Sequence, residues 1–221
     1  MSALARAQDT VTDDRATVHV IDDDVSPREA LSLLFPSVGL DVRTYASVQE
    51  FLDADAHEGP GCIVLDVRLP GISGLDFQLR RDGLGIQLPV VLMTGHGDVP
   101  MSVRAMKAGA VDFLIKPFRD QDLLDAVAVA LERDRARREE AKGVAEIRTL
   151  FESLTPREKD VMALVTTGLM NKQIAAEIGV SEITVKIHRG HAMRKMRAKS
   201  LAELVRMAEA LGVSRSKMEP R

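Results

Sequence analysis

Residues 18–27, VHVIDDDVSP, run from four mostly apolar residues into three adjacent carboxylates, Asp22, Asp23 and Asp24. Like charges about 4 Å apart repel by roughly 1 kcal/mol in water and about 4 kcal/mol at an effective dielectric of 20. A strand that ends in such a cluster needs a reason, and the flanking pattern supplies the frame for one. Short apolar runs recur: TVHVI at 17–21, DVRTY at 41–45, CIVLDV at 62–67, PVVLMT at 89–94 and VDFLI at 111–115. Between them, residues 26–38, 47–55, 74–82, 98–108 and 120–131 carry apolar residues at helical spacing. Five strands alternating with five helices predict an α/β fold, a five-stranded doubly wound parallel sheet. CIVLDV and PVVLM are apolar on both alternations, as strands covered on both faces require. Right-handed crossovers then put every strand's carboxyl end on one edge, where ligands of such sheets bind.

On that edge the chain sets Asp22 and Asp23 after the first strand and Asp66 at the end of the third. Thr94 ends the fourth, and Lys116 follows the fifth. Converging carboxylates require a cation. A hard divalent ion with oxygen ligands, Mg²⁺ most simply, relieves the repulsion and leaves positions for phosphate oxygens. A lysine and a hydroxyl beside a metal-bound carboxylate point to transfer of a phosphoryl group onto that carboxylate. Asp66, on the central strand, is the expected nucleophile. Asp24 is expected to turn away as a helix-leading acid, and His96 to be a surface loop residue. A rival order exists: Asp22-x-Asp24, VVLMTG, then a lysine also resembles haloacid dehalogenase-like phosphohydrolases, with Asp22 as nucleophile and Asp24 as general acid. That reading leaves Asp66 idle and lacks a later acidic pair for the metal.

The 221 residues are 45% hydrophobic, yet no apolar run approaches the ~18 residues of a membrane span. The opening MSALARAQDTVTDD has three acids and no sustained apolar stretch, so residues 1–16 are read as a disordered lead and not a signal peptide. Cys62, the single cysteine, excludes an internal disulfide and is read as a buried thiol. These features suggest a cytoplasmic protein with no membrane partner. Charge divides the chain: residues 17–131 hold 9 basic and 17 acidic residues, residues 152–221 hold 13 and 8. An acidic half and a basic half predict two domains with different partners. With 3% aromatics and no Trp, the composition argues against a base-stacking platform, so for a basic half that binds nucleic acid a helix in a groove is the better expectation.

Residues 132–151, dense in Ala, Arg and Glu, are read as a charged, solvated helical linker continuing the fifth helix. At 155 the pattern restarts with TPRE, a capping box in which Thr155 caps, Pro156 takes the first helical position and Glu158 reaches back. Helices are predicted over 156–167, 171–179, 181–198 and 200–211, making an all-α four-helix domain over 152–212 with a tail at 213–221. Ala175, Gly179 and Val185 have the spacing of a helix-turn-helix. On the helix from 182, Val185, Ala192 and Met196 form an inner stripe, and Ile183, Lys186, Ile187, Gly190 and Arg194 an outer one. An apolar residue beside basic ones suits a major groove, with Ile187 near thymine methyls and Lys186 at base edges. Asn171, Lys172, Thr184, Arg189, His191, Arg194 and Lys195 complete the expected set of DNA contacts.

Residues 17–131 resemble the receiver domain of two-component response regulators. The acidic pair after strand one, LDVRLPGISG (65–74) and MTGHGDVPMSVRAMKAGAVDFLIKPF (93–118) carry the resemblance; TGHGDVPM and GAVDFLIKPF look like the FixJ branch. The resemblance implies a CheY-like receiver whose Asp66 accepts a phosphoryl group from a histidine kinase. It implies Mg²⁺ held by Asp23, Asp66 and the backbone carbonyl of Arg68, with Asp22 acting through water. It implies phosphoryl binding by Thr94 and Lys116, a cis Lys116–Pro117 bond, and Phe113 as the rotating aromatic of a switch. Residues 154–205 are similar to the LuxR/NarL-type DNA-binding domain. That implies double-stranded DNA as partner and a homodimer joined through the last helix, where Leu201, Leu204 and Val205 fit. Together these imply a transcription factor controlled by its own phosphorylation, not a turnover enzyme on external substrates.

Overall fold

The computed structural model describes residues 15–54 and 59–213. The expected disordered lead and tail fall almost wholly outside these residues. Strands β1 (Thr17–Ile21), β2 (Asp41–Tyr45), β3 (Gly61–Asp66), β4 (Val90–Thr94) and β5 (Asp112–Ile115) form one sheet, ordered β2-β1-β3-β4-β5. Every pairing is parallel. Helices α1 (Val25–Ser37), α2 (Val48–Asp53), α3 (Gly74–Arg80), α4 (Val99–Lys107) and α5 (Asp120–Glu152) follow the strands, with a 3₁₀ turn at Arg81–Leu84 after α3. This is the expected doubly wound sheet, with the strand order reversing between β1 and β3.

Alternation along β3 builds two cores. Ile63 and Leu65 face one side with Phe51, Phe77, Leu92 and Ala105; Cys62 and Val64 face the other with Phe35, Met93, Leu123 and Val127. Each large apolar side chain buried this way contributes about 1.5–3 kcal/mol. Burial pushes the Cys62 thiol up to about 12, so it remains an inert core residue. Among the described residues, no helix is long and apolar enough to cross a membrane.

The second domain consists of α6 (Pro156–Val165), α7 (Asn171–Ile178), α8 (Glu182–Lys195) and α9 (Leu201–Ala210). The Thr155–Glu158 capping box forms, and Ser181 and Ser200 cap α8 and α9 through their hydroxyls. Gly179 takes φ +68°, the left-handed turn between α7 and α8 that a Cβ would disfavour.

Contacts divide the chain between Arg137 and Arg138, inside the segment read as a linker. The start of that segment is not solvated. Asp134, 1% exposed, accepts from Gly61 N at 3.1 Å and from Arg137 Nη2 at 2.6 Å. Arg137 also reaches Gln87 Oε1. Helix α5 is thus tied to the amino end of β3, one turn beyond the expected domain limit. Ile147, Leu150 and Phe151, near its other end, pack on the core of the helical domain.

Candidate functional sites

Register places the acidic pocket. Ile21 lies opposite Leu65, so Asp22 comes beside Asp66; Thr94 lies opposite Ile115, so Lys116 follows at the same edge. The Lys116 ammonium sits between two buried carboxylates, 2.6 Å from Asp22 Oδ2 and 2.8 Å from Asp66 Oδ1. Asp66 Oδ2 also accepts from Arg68 N at 2.6 Å. Asp22 Oδ1 accepts from Asp24 N at 3.0 Å, and Asp22 O accepts from Arg28 Nη1 at 2.5 Å. Burial pushes the Asp22 carboxyl up, against the opposing pull of Lys116. Burial alone would depress Lys116, but its hydrogen bonds to Asp22 and Asp66 outweigh that and keep the ammonium charged.

Lys116 supplies part of the answer to the repulsion at the end of β1. Of three acids expected around one metal, Asp22 and Asp66 share Lys116, and Asp23 is exposed at the rim. Among the described residues no group of three His, Cys, Asp or Glu side chains is gathered as a metal cluster. The lysine offsets one of the two buried negative charges and leaves one for a further cation to answer. The donors nonetheless suit a hard cation: carboxylate oxygens at Asp22, Asp23 and Asp66, and the Arg68 carbonyl, with no sulfur or imidazole among them. Asp24 N-caps α1, accepting from Ser26 N at 3.0 Å.

Thr94 is fully buried, and its hydroxyl accepts from His96 N at 3.3 Å. Phe113 and Met101 are both partly buried against the core that holds Ala105. The Lys116–Pro117 bond is cis. On the same side of the sheet Val99, Val103, Met106 and Ile115 leave large apolar surface exposed.

In the helical domain Val185, Ala192 and Met196 are buried, whereas Ile183 (73% exposed), Lys186, Ile187 (51%), Gly190 and Arg194 face solvent. Lys172 is exposed, and Arg189 Nη1 donates to Asn171 Oδ1 at 3.3 Å. Thr184 Oγ1 lies 2.8 Å from Ser181 Oγ within the α8 cap. Two expected phosphate contacts lie beside Glu158 and stay partly exposed, His191 at 44% and Lys195 at 38%. Lys195 Nζ lies 2.7 Å from Glu158 Oε2 and donates to Ser153 O at 3.3 Å; His191 Nδ1 lies 3.5 Å from Glu158 Oε1. Glu158 is 3% exposed, and a buried carboxylate claims nearby cations. Burial opposes its charge, but Lys195 and the Thr155 cap prevail and hold the carboxyl down at about 2.

Sequence reasoning missed three residues that shape these sites. Glu158 appeared only as a capping residue, Asp134 only as linker charge, and Arg28 not at all. Arg28 carried a faint signal, a basic residue in the first turns after three acids.

Residues 18–128 match the response regulator receiver domain, and residues 152–208 match the bacterial regulatory proteins of the luxR family. Nodulation protein W of Bradyrhizobium diazoefficiens is 59% identical across 93% of this chain and 90% of its own. The transcriptional regulatory protein FixJ of Azorhizobium caulinodans is 47% identical across 89% of this chain and 93% of its own. The structure of the response regulator StyR superposes with a TM-score of 0.75 at 47% identity, covering 88% of this chain and 98% of that one. Full-length FixJ from B. japonicum gives 0.54 at 41% identity, covering 89% and 97%. The chain belongs to the response regulators. Within them it is a transcription factor that joins a receiver to a LuxR-type DNA-binding domain.

Proposed function

We infer that Asp66 accepts a phosphoryl group from the phosphohistidine of a cytoplasmic histidine kinase. The observation that carries this is the Lys116 ammonium bridging Asp22 and Asp66 at the open edge of the sheet. An Asp66 carboxylate oxygen attacks phosphorus, the new O–P bond forms, and the P–N bond breaks with its electron pair left on the imidazole. Lys116 is already within hydrogen-bond reach of the acceptor oxygens and stabilises the charge spread over the transferring group. Thr94 supplies a hydroxyl at the end of β4. When bound by Asp22, Asp23, Asp66 and the Arg68 carbonyl, Mg²⁺ would neutralise further charge on the phosphoryl oxygens.

Acyl phosphate formation at Asp66 draws Lys116 and Thr94 toward new oxygens and loosens the grip of Lys116 on Asp22. Phe113, next along β5, repacks with the loop after β4. The equilibrium of the α4–β5 face shifts, and its exposed Val99, Val103, Met106 and Ile115 become a homodimer surface. Dimerisation then presents two basic domains to a two-fold DNA site, with α8 in the major groove and Lys186, Ile187 and Arg194 outermost. Asn171, Lys172, Thr184, Arg189 and the partly exposed His191 flank it at the phosphates, while Lys195 pairs with Glu158.

The test uses acetyl phosphate with Mg²⁺. The wild-type chain gains the mass of one phosphoryl group and shifts from monomer to dimer in sedimentation; Asp66→Asn does neither. Phosphorylation of Asp66→Asn at the same stoichiometry, or equal dimerisation of both chains, defeats the proposal.

A further inference from the structure

Arg28 stands near the start of α1, half-buried and close in sequence to three acids. Among the described residues it forms an ion pair with none of them. Its one partner there is the main-chain oxygen of Asp22, which accepts from Nη1 at 2.5 Å. A guanidinium with a carboxylate in reach bonds it in preference to a neutral carbonyl, because both partners then carry charge. The carbonyl bond therefore has a task of its own. That oxygen belongs to the peptide group joining Asp22 to Asp23. The next peptide group, joining Asp23 to Asp24, is held as well, since Asp24 N donates to Asp22 Oδ1 at 3.0 Å. Asp23 thus sits between two anchored peptide planes, and these fix the direction of its Cα–Cβ bond. Its carboxylate is exposed and has no partner among the described residues. Asp22 and Asp66 differ, each giving an oxygen to Lys116. A carboxylate aimed by its backbone but left unpaired, beside a negative charge that Lys116 does not offset, is open to a hard cation.

We propose that Arg28 is a positioning residue for the phosphoryl-transfer pocket. By holding the Asp22 carbonyl it pre-orders Asp23 for a divalent cation, and by taking the carbonyl it leaves the Asp23 carboxylate unclaimed. It acts through the Asp22–Asp23 peptide group and needs no contact with the ion or the phosphoryl group. The inference rests on the Mg²⁺-assisted reading of the pocket.

The experiment titrates the full-length chain with MgCl₂ alone, with no phosphoryl donor, and follows the backbone amide resonances of residues 22–24 and 68. Arg28→Lys keeps the charge, but its side chain is one bond too short for the Asp22 oxygen. Its Mg²⁺ affinity should fall about fivefold, the factor expected when the backbone of one residue must be ordered on binding. Before Mg²⁺ is added, the Asp23 and Asp24 amide resonances should be broadened, and saturating Mg²⁺ should sharpen them again. Leu31→Ala is the control for stability, because it cuts a buried side chain from the same helix. It should unfold at lower urea than Arg28→Lys and keep wild-type Mg²⁺ affinity. Wild-type affinity in Arg28→Lys overturns the inference. If Arg28→Met then binds Mg²⁺ more tightly than the wild type, Arg28 acts by charge and not by position. An equal loss of affinity in Leu31→Ala also overturns it, since any loosening of α1 would then suffice. If MgCl₂ moves no resonance of the wild type, the metal reading fails and the inference with it, a result distinct from the others.

Discussion

Glu158→Gln isolates the charge at the heart of the helical domain while keeping the shape of its side chain. Glu158 Oε2 accepts from Thr155 N at 2.8 Å and from Lys195 Nζ at 2.7 Å. Glutamine can still accept from Thr155 N, so the cap survives. The charge-assisted bond to Lys195 is lost, a type worth about 1.5–3 kcal/mol. Lys195 is 38% exposed, so solvent screens part of the pair and the lower half of that range applies, about 1.5–2 kcal/mol at pH 7. For a domain of this size the melting point should fall by roughly 10 °C. The pH dependence has a definite sign. The folded carboxyl is held at about 2, below its ordinary 4.5. Such a depressed group contributes fully above the unfolded value and loses its contribution as pH falls toward the folded one. The gap between wild type and variant should therefore be constant from neutral pH to about 5, shrink by more than half at pH 3, and nearly vanish at pH 2. Urea unfolding of the full chain, followed by helical circular dichroism at each pH, measures it. Lys195→Met should show the same penalty, and the double variant little more than either single one. A penalty that persists undiminished at pH 2, or additive single effects, would refute the coupling.

Asp134→Ala strands the Gly61 amide and leaves Arg137 with Gln87; a buried donor left unsatisfied costs about 1–3 kcal/mol, so the receiver transition should move by that amount in urea while the helical domain holds. Gly74→Ala puts a Cβ 2.2 Å from the backbone oxygen of Asp66 and 3.0 Å from Leu65. The backbone must yield, and the receiver should lose about 1–3 kcal/mol and phosphorylate Asp66 more slowly; a variant with normal phosphoryl incorporation and normal stability would show that the loop after β3 is free to move.

The sequence alone settled whatever depends on neighbours along the chain. The short apolar runs at TVHVI and CIVLDV, period near 3.6 between them, Thr155 with Glu158, Ser181, and Gly179 each state a local preference strong enough to survive folding. The motif order placed Asp22, Asp66, Thr94 and Lys116 on one edge because parallel strands with right-handed crossovers leave no other arrangement. Which cation answers the carboxylates is a different kind of fact. Lys116 reaches Asp22 across 94 residues, Asp134 reaches Gly61 across 73, and Lys195 reaches Glu158 across 37. A periodicity assigns a side chain to a face but says nothing of which buried opposite charge lies within 3 Å of its tip. Burial makes an unpaired charge so costly that the nearest cation is taken inward, and only the packed tertiary structure shows which one that is.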